Sequence, residues 1–175
     1  MVIWLVGLSG AGKTTLGRAL YAGLKAERPQ TVFVDGDEIR ALFRHDQRAD
    51  AYTLAGRRVN AERIQALCGW LDSQGIDVVC CILSVFEDVS EQNRERFSAY
   101  REVFVDVPLA TLIDRDDKQL YQSALRGERE HVVGVDIDYR PPQAPDLTLH
   151  NTQLAEDIPG YVAQMRAMIG YPPCP

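Results

Sequence analysis

The sequence predicts an α/β fold with a mostly parallel, five-stranded sheet and helices on both of its faces. Three observations indicate this class. Short apolar runs alternate with helix-period segments, a glycine-rich turn follows the first run directly, and one central run is apolar throughout. The 175 residues are predicted to form a single domain, residues 1–175, because this length can bury one sizeable core.

The first predicted elements are a strand, a turn and a helix. Residues 2–6 are an apolar run that predicts a buried strand, and residues 7–12 form the glycine-rich turn. Apolar residues recur every four positions over residues 13–25, which predicts a helix that ends before Pro29. Residues 31–34 predict the second strand.

Two helices and the most apolar strand are predicted for the middle of the chain. Residues 38–43 predict a short helix, the polar residues 45–51 a loop, and residues 54–72 a long helix. Residues 76–83 predict a central strand that is buried on both faces. We expect the long helix to have an apolar face made of Val59, Ile64, Leu67, Trp70 and Leu71.

The alternation of helices and strands continues to the end of the chain. A helix at residues 87–97 precedes a fourth strand at residues 101–107, and Pro108 opens the next helix. A fifth strand is predicted at residues 146–149, and a closing helix at residues 154–169.

A charged stretch lies between the fourth and fifth predicted strands. Residues 114–130 predict an exposed helical flap, which we interpret as part of a helical lid at about residues 114–136. The alternative is a solvated helix face without a lid role.

Composition and charge exclude several classes of partner. The net charge of −6 argues against broad binding to nucleic acid polymers, and no apolar stretch approaches the roughly 18–20 residues that cross a membrane. Cys68, Cys80, Cys81 and Cys174 show no metal-ligand spacing, and the adjacent Cys80 and Cys81 are expected to be buried. His45, His131 and His150 are isolated and are expected to be structural or exposed. These features favour a cytoplasmic protein.

The stretch Gly7-Leu-Ser-Gly-Ala-Gly-Lys-Thr-Thr15 has the spacing of a phosphate-binding loop between a strand and a helix. Glycines allow backbone amides to approach phosphate oxygens, and the following helix adds its positive end. We expect ATP as the co-substrate with Mg²⁺ on the Thr14 hydroxyl. The predicted ATP-binding residues of the loop are Gly7, Ser9, Gly10, Ala11, Gly12, Lys13, Thr14 and Thr15.

Asp35-Gly36-Asp37 follows the second predicted strand and therefore faces the ligand crevice of a parallel sheet. Its carboxylates could orient Mg²⁺ and accept a proton from an attacking hydroxyl, and Arg40 could reach an anionic group of a substrate. The alternative is a turn that merely caps the next helix.

Five segments together resemble adenylylsulfate kinases, which phosphorylate the ribose 3′-hydroxyl of adenosine 5′-phosphosulfate (APS) with MgATP. The segments are GLSGAGKTT, FVDGDEIR, DVPLATLIDRDDKQLYQSALRGE, VVGVD and PDLTL, and the likeness covers residues 2–151. The phosphate loop is common to many kinases, whereas the stretch from Arg115 to Tyr121 is far more specific.

The resemblance implies roles for individual residues. Lys13, Asp35, Asp37 and Lys118 would be catalytic, with Thr14 and Asp35 at the metal and Arg115 on ATP. The implied acceptor-binding residues are Asp37, Arg40, Arg57, Asn60, Arg63, Leu83, Ser84, Lys118, Val133 and Gly134. Arg57 and Arg63 could instead be solvated helix residues, and Ser84 could simply end a strand. The resemblance also leaves a homodimer open.

Departures from the family pattern lie on the acceptor side. The family's two base-stacking phenylalanines are missing, and the region HDQRADAYTLAGRR is longer than usual, with Gly56 in place of an aspartate and Tyr52 as the available ring. The first expectation remains APS as acceptor. The alternatives are a relative that phosphorylates cytidine diphosphoramidate, which shares the MVIW and VVGVD stretches, and a non-catalytic nucleotide-binding module.

Overall fold

The computed structural model describes residues 1–116, 119–151 and 157–171. Its strands are β1 (Val2–Val6), β2 (Thr31–Asp35), β3 (Asp77–Ile82), β4 (Tyr100–Asp106) and β5 (Leu147–His150). Its helices are α1 (Lys13–Glu27), α2 (Gly36–Leu42), α3 (Leu54–Ser73), α4 (Glu87–Arg96), α5 (Leu109–Arg115), α6 (Leu120–Leu125) and α7 (Ile158–Met168), with a short 3₁₀ turn at His45–Gln47.

The strands form one parallel sheet in the order β2-β3-β1-β4-β5, which confirms the predicted fold class. The register pairs Val6 with Ile82 on one side and with Phe104 on the other. All strands therefore end at the same edge, where the turn after β1 and the start of α2 come together.

The core has two layers, one on each face of the sheet. Side chains alternate along β1, so Ile3 and Leu5 pack with Leu16 of α1 and Met165 of α7. Val2, Trp4 and Val6 face the other way and pack in the cluster that includes Ile64 and Cys68 of α3. β3 is buried at every residue, as the continuous apolar run predicted.

The predicted apolar face of α3 is wrong at two positions. Val59 is 39% exposed and Trp70 is 62% exposed. The helix instead buries Asn60 and Gln65, because each of these amides bonds to a group on another element: Asn60 to the carbonyl of Gly36 and Gln65 to the side chain of Asn93.

Pro108 opens α5 as predicted. Of the segment predicted as one exposed helical flap, residues 114–130, only the end of α5 and the short helix α6 are helical among the described residues, and residues 126–136 have no helix. Tyr121 of α6 is buried. The closing helix is described from Ile158, and the first residues predicted for it, 154–156, lie outside the described part. Within that part, no helix combines the length and apolar character needed to cross a bilayer.

Candidate active site

A cleft of about 440 Å³ opens at the carboxyl edge of the sheet. It brings together most of the predicted site residues from the loop after β1, from α2, from α3 and from the segment after α6. The predicted residues that line it are Ser9, Gly10, Gly12, Lys13, Thr14, Thr15, Asp35, Asp37, Arg40, Arg57, Asn60, Leu83 and Val133.

The loop between β1 and α1 forms one end of the cleft. Gly10 and Gly12 have φ angles of 78° and 96°, a left-handed backbone that glycine adopts without strain. Gly12 is the N-cap of α1, and among the described residues no side chain caps this helix. The first amides of α1 and its positive end are thus available to an anion in the cleft.

Three loop residues take supporting positions. Lys13 donates from Nζ to the carbonyl of Leu8 at 2.7 Å, which places its ammonium against the loop. Ala11 is fully buried and its amide donates to the same carbonyl at 3.3 Å. Gly7 is buried beside Val105 of β4 and does not line the cleft, nor does Ala11.

Thr14 and Asp35 meet across the cleft floor. The Thr14 hydroxyl donates to Asp35 Oδ2 at 2.8 Å, and Asp35 Oδ1 accepts the amide of Asp37 at 2.9 Å. The helix cap, given above as the alternative interpretation, is thus present on Oδ1, while Oδ2 holds Thr14, the other residue predicted for the metal site.

The donor set at this point suits Mg²⁺. A hydroxyl and a carboxylate, both oxygen ligands, lie at the end of the phosphate loop, where Mg²⁺ in nucleotide enzymes keeps waters and phosphate oxygens as further ligands. In the described ranges no group of three or more His, Cys, Asp or Glu residues could hold a metal by itself.

Asp37 stands in the first turn of α2 with its side chain 81% exposed toward the cleft. Its Oδ1 accepts from Arg40 Nη1 at 2.6 Å, while the Arg40 side chain is only 9% exposed. The bond to Arg40 fixes one carboxylate oxygen of Asp37. The other oxygen faces the cleft, where it could accept the proton of a hydroxyl group.

Tyr52 lies between two arginines at the other end of the cleft. Its ring centroid is 4.9 Å from Cζ of Arg40 and 5.7 Å from Cζ of Arg57. Arg57 also donates from Nε to the carbonyl of Tyr52 and from Nη2 to the carbonyl of His131, each at 2.9 Å. Burial, with the nearby charge of Arg40 as a smaller contribution, lowers the pKa of Arg57 from its usual value.

The loop that carries Tyr52 is held down by a close backbone approach. A Cβ on Gly56 would lie 2.0 Å from the carbonyl oxygen of Asp50, so only glycine fits here. Gly56 is also held through its own carbonyl, which accepts a hydrogen bond from Nε2 of the buried His45 at 3.1 Å. Gly56, noted in the sequence as a departure, is therefore part of how the longer loop folds back over the start of α3.

Cys81 lines the cleft behind the phosphate loop, with Sγ 3.2 Å from the carbonyl oxygen of Lys13. Burial raises the pKa of this thiol to about 12, so it is a neutral packing group and not a nucleophile. Cys80 and Cys81 are 0% and 2% exposed, as predicted, and Cys174 lies outside the described residues.

Besides Gly7 and Ala11, four predicted site residues that the structure describes do not line the cleft. Arg63 lies over the ring of Phe43, with 5.3 Å between Cζ and the ring centroid. Gly134 lines a second cleft of about 360 Å³ beyond β4. The four are Arg63, Ser84, Arg115 and Gly134, and a further predicted site residue, Lys118, lies outside the described residues.

Two polar residues that the sequence analysis gave no role bind the phosphate loop from outside. The hydroxyl of Tyr121 donates to the carbonyl of Ser9 at 2.8 Å, and Nδ2 of Asn151 donates to the carbonyl of Ala11 at 2.7 Å. Tyr121 belongs to the specific stretch that carried the resemblance, which is the signal that could have selected it.

Comparison with known proteins decides the family. A model of the family "Adenylylsulphate kinase" matches residues 1–150. The chain belongs to the adenylylsulphate kinase family. The predicted resemblance is thereby confirmed, and the chain is a phosphotransferase of the kinase type.

Relatives within the adenylylsulphate kinase family carry two different names. The "Cytidine diphosphoramidate kinase" of Campylobacter jejuni is 38% identical over 151 residues, which cover 86% of this chain and 86% of that protein. The "Adenylyl-sulfate kinase" of Deinococcus deserti is 38% identical over 154 residues, which cover 88% of this chain and 83% of that protein. Identity alone therefore does not distinguish the two activities.

The fold also matches a solved member of the adenylylsulphate kinase family. The structure of Mycobacterium tuberculosis APS kinase CysC in complex with AMPPNP and APS superposes with a TM-score of 0.83 at 27% identity. The match covers 97% of this chain and 96% of that one, so the fold is that of a P-loop kinase over nearly its whole length.

Proposed function

We propose that this chain transfers the γ-phosphoryl group of ATP to a ribose hydroxyl of a nucleotide with an anionic 5′ tail, with APS as the first acceptor. The observation that carries this proposal is one continuous cleft with two different ends. A phosphate loop lies at one end, Arg40, Arg57 and Tyr52 lie at the other, and the exposed face of Asp37 lies within it.

The proposed reaction is a single displacement at phosphorus. The acceptor hydroxyl oxygen bonds to the γ-phosphorus, the bond from that phosphorus to the β,γ-bridging oxygen breaks, and ADP leaves. Asp37 orients the hydroxyl and takes its proton, while Lys13 and the amides of Gly10 and Gly12 hold the phosphate oxygens. Thr14 and Asp35 would hold Mg²⁺, which would supply charge neutralisation on the phosphates when bound.

The acceptor half supports a nucleotide substrate. Arg40 and Arg57 bring two positive charges and Asp37 one negative charge to this part of the cleft, so an anionic tail is electrostatically favoured. Tyr52 offers a ring against which a base can stack. A closing lid at residues 114–136, including Lys118, would exclude water from the transfer.

A second acceptor, cytidine diphosphoramidate, is favoured by one observation. The wall formed by the segment after α6 presents Val132 and Val133, where the family pattern has a phenylalanine. Of the described residues that line the cleft, Tyr52 is the only phenylalanine, tyrosine or tryptophan. A single ring suits a smaller pyrimidine base better than a purine that is held between two rings.

The reaction is proposed for the cytoplasm, because the described cysteines Cys68, Cys80 and Cys81 are free and buried. Assembly as a homodimer remains a prediction from the resemblance.

The test offers each acceptor separately to the purified protein with MgATP. We expect ADP release that depends on the acceptor, and mass spectrometry should find one added phosphoryl group on it. Phosphorylation of APS alone, or of the cytidine compound alone, decides between the acceptors. Absence of transfer to both nucleotides would contradict the proposed function.

A further inference from the structure

Three side chains bind three carbonyl oxygens of the phosphate loop. Lys13 donates to Leu8, Tyr121 to Ser9 and Asn151 to Ala11, at distances between 2.7 and 2.8 Å. Two of the donors lie far along the chain from the loop, separated from their acceptors by 112 and 140 residues. Tyr121 and Asn151 are both 2% exposed, so these bonds are shielded from water.

Each bond fixes an amide as well as a carbonyl. A peptide unit is planar, and its carbonyl and the next residue's N–H point in opposite directions. A donor that holds the Ser9 carbonyl outward therefore turns the Gly10 amide toward the cleft. Asn151 does the same for the Gly12 amide through the Ala11 carbonyl. Glycines lack a side chain that would restrict these units, so the restraint has to come from outside.

The two external donors stand on different supports. Asn151 follows β5 directly, and its amide donates to the Asp106 carbonyl of β4 at 2.9 Å, so it is fixed to the sheet. Tyr121 stands on α6, whose first turn is held by the Asp116 carboxylate: Oδ1 accepts the amide of Leu120 and Oδ2 that of Gln122. Burial raises the pKa of Tyr121 to about 12, so its hydroxyl keeps the proton that it donates.

We propose that Tyr121 is a positioning residue that aims the Gly10 amide at a nucleotide phosphate and thereby makes ATP affinity depend on how α6 is seated. The inference rests on the proposed function. It gives α6 a role in orienting the phosphate loop through Tyr121, in addition to the proposed role of this segment in the lid. A shift of α6 would release the Ser9 carbonyl, whereas the Asn151 bond would persist.

The test compares Tyr121→Phe with Tyr139→Phe. Both substitutions remove one phenol hydroxyl, but the buried Tyr139 hydroxyl has no hydrogen-bond partner among the described residues. We expect Tyr121→Phe to weaken MgATP binding by about 3- to 10-fold in calorimetry, the range for one lost hydrogen bond. The KM for ATP should rise equally, the acceptor KM should stay within about twofold, and Tyr139→Phe should match the wild type.

A double-mutant cycle tests the dependence on α6. Asp116→Ala leaves Tyr121 intact but removes the acceptor of the two α6 amides, and it should also weaken MgATP binding. In the Tyr121→Phe background the same change should add little, because the bond it acts through is already lost. If the losses of MgATP binding free energy in the two single variants simply added in the double variant, the proposed coupling between α6 and the phosphate loop would be wrong.

Further outcomes separate this inference from the proposed function. Unchanged ATP affinity in Tyr121→Phe, an equal loss of acceptor affinity, or a loss of thermal stability alone would each overturn the positioning role. A wild type that binds MgATP but phosphorylates neither acceptor contradicts the proposed function only, since the binding comparison still stands.

Discussion

The two ends of the cleft are built in different ways. The end that we propose binds ATP is a single short loop whose carbonyls accept hydrogen bonds from Lys13, Tyr121 and Asn151. The end that we propose binds the acceptor is a set of side chains from α2, from the loop before α3 and from α3 itself, in which Arg40 and Arg57 lie against the ring of Tyr52.

This difference fits the expectation from the sequence that the chain follows its family in the phosphate loop and departs from it on the acceptor side. A backbone cradle depends on glycines at fixed spacing, so its sequence cannot change without losing phosphate binding. A pocket of side chains can be rebuilt one residue at a time, because each side chain contributes contacts of its own. Substitutions at the two ends should therefore separate ATP-dependent from acceptor-dependent quantities.

The largest effect is expected for Lys13→Ala at the phosphate-binding end. Because we propose that the Lys13 ammonium holds the phosphate oxygens, its loss should lower kcat by about 10²- to 10³-fold or more. Lys25→Ala, in the last turn of the same helix, is the matched control and should leave transfer intact. Circular dichroism should show both variants folded. A Lys13→Ala protein with full biological function would favour a non-catalytic nucleotide-binding module.

Asp37→Asn should produce the next largest effect, at the junction of the two ends. The asparagine side chain has the same shape and can still accept the hydrogen bond from Arg40, but it cannot take the proton of the acceptor hydroxyl. Phosphoryl transfer should therefore fall by about 10²-fold while ATP binding is nearly unchanged. Glu38→Gln, the exposed neighbour in α2 whose partner is Arg18, is the control. Equal losses of transfer and of ATP binding would contradict the assigned role.

Tyr52→Ala should affect the acceptor end alone. One lost base stack is worth on the order of 1–3 kcal/mol, so the acceptor KM should rise about tenfold while the KM for ATP stays constant. Tyr52→Phe keeps the ring and should behave as the wild type. If Tyr52→Ala instead raised the KM for ATP, the ring would contact ATP and not the acceptor.

The same contrast explains what the sequence could predict. The phosphate loop and the buried β3 are local patterns, and both were predicted correctly. The buried face of α3 was predicted correctly at Ile64 but not at Val59 and Trp70. A hydrophobic pattern also overlooks polar residues that are buried because they hydrogen-bond to distant groups. Asp72 of α3 shows this, since its carboxylate accepts the amide and the hydroxyl of Ser98, each at 2.7 Å. The clamp by Tyr121 joins residues that only the folded sheet brings together.

The smallest effect is expected for Arg63→Ala, and it sharpens the comparison within α3. Arg57 faces the cleft and bonds to Tyr52 and His131, whereas Arg63 lies over Phe43 outside the cleft lining. We expect Arg63→Ala to change the acceptor KM by about twofold at most and to lower stability by about 0.5–1 kcal/mol through the lost cation–π contact. Arg57→Ala should raise the same KM by about tenfold or more.

Steady-state kinetics and thermal unfolding of the two arginine variants separate the outcomes for α3. The buried Nη1 of Arg63 has no hydrogen-bond partner among the described residues. If Arg63 moved into the cleft when the acceptor binds, the acceptor could become the hydrogen-bond partner of this nitrogen. Equal rises in the acceptor KM for Arg57→Ala and Arg63→Ala would show that Arg63 moves into the cleft and binds the acceptor. A rise confined to Arg57→Ala means that the acceptor is recognised by the residues that already surround Tyr52, and that the pocket is formed before the acceptor binds.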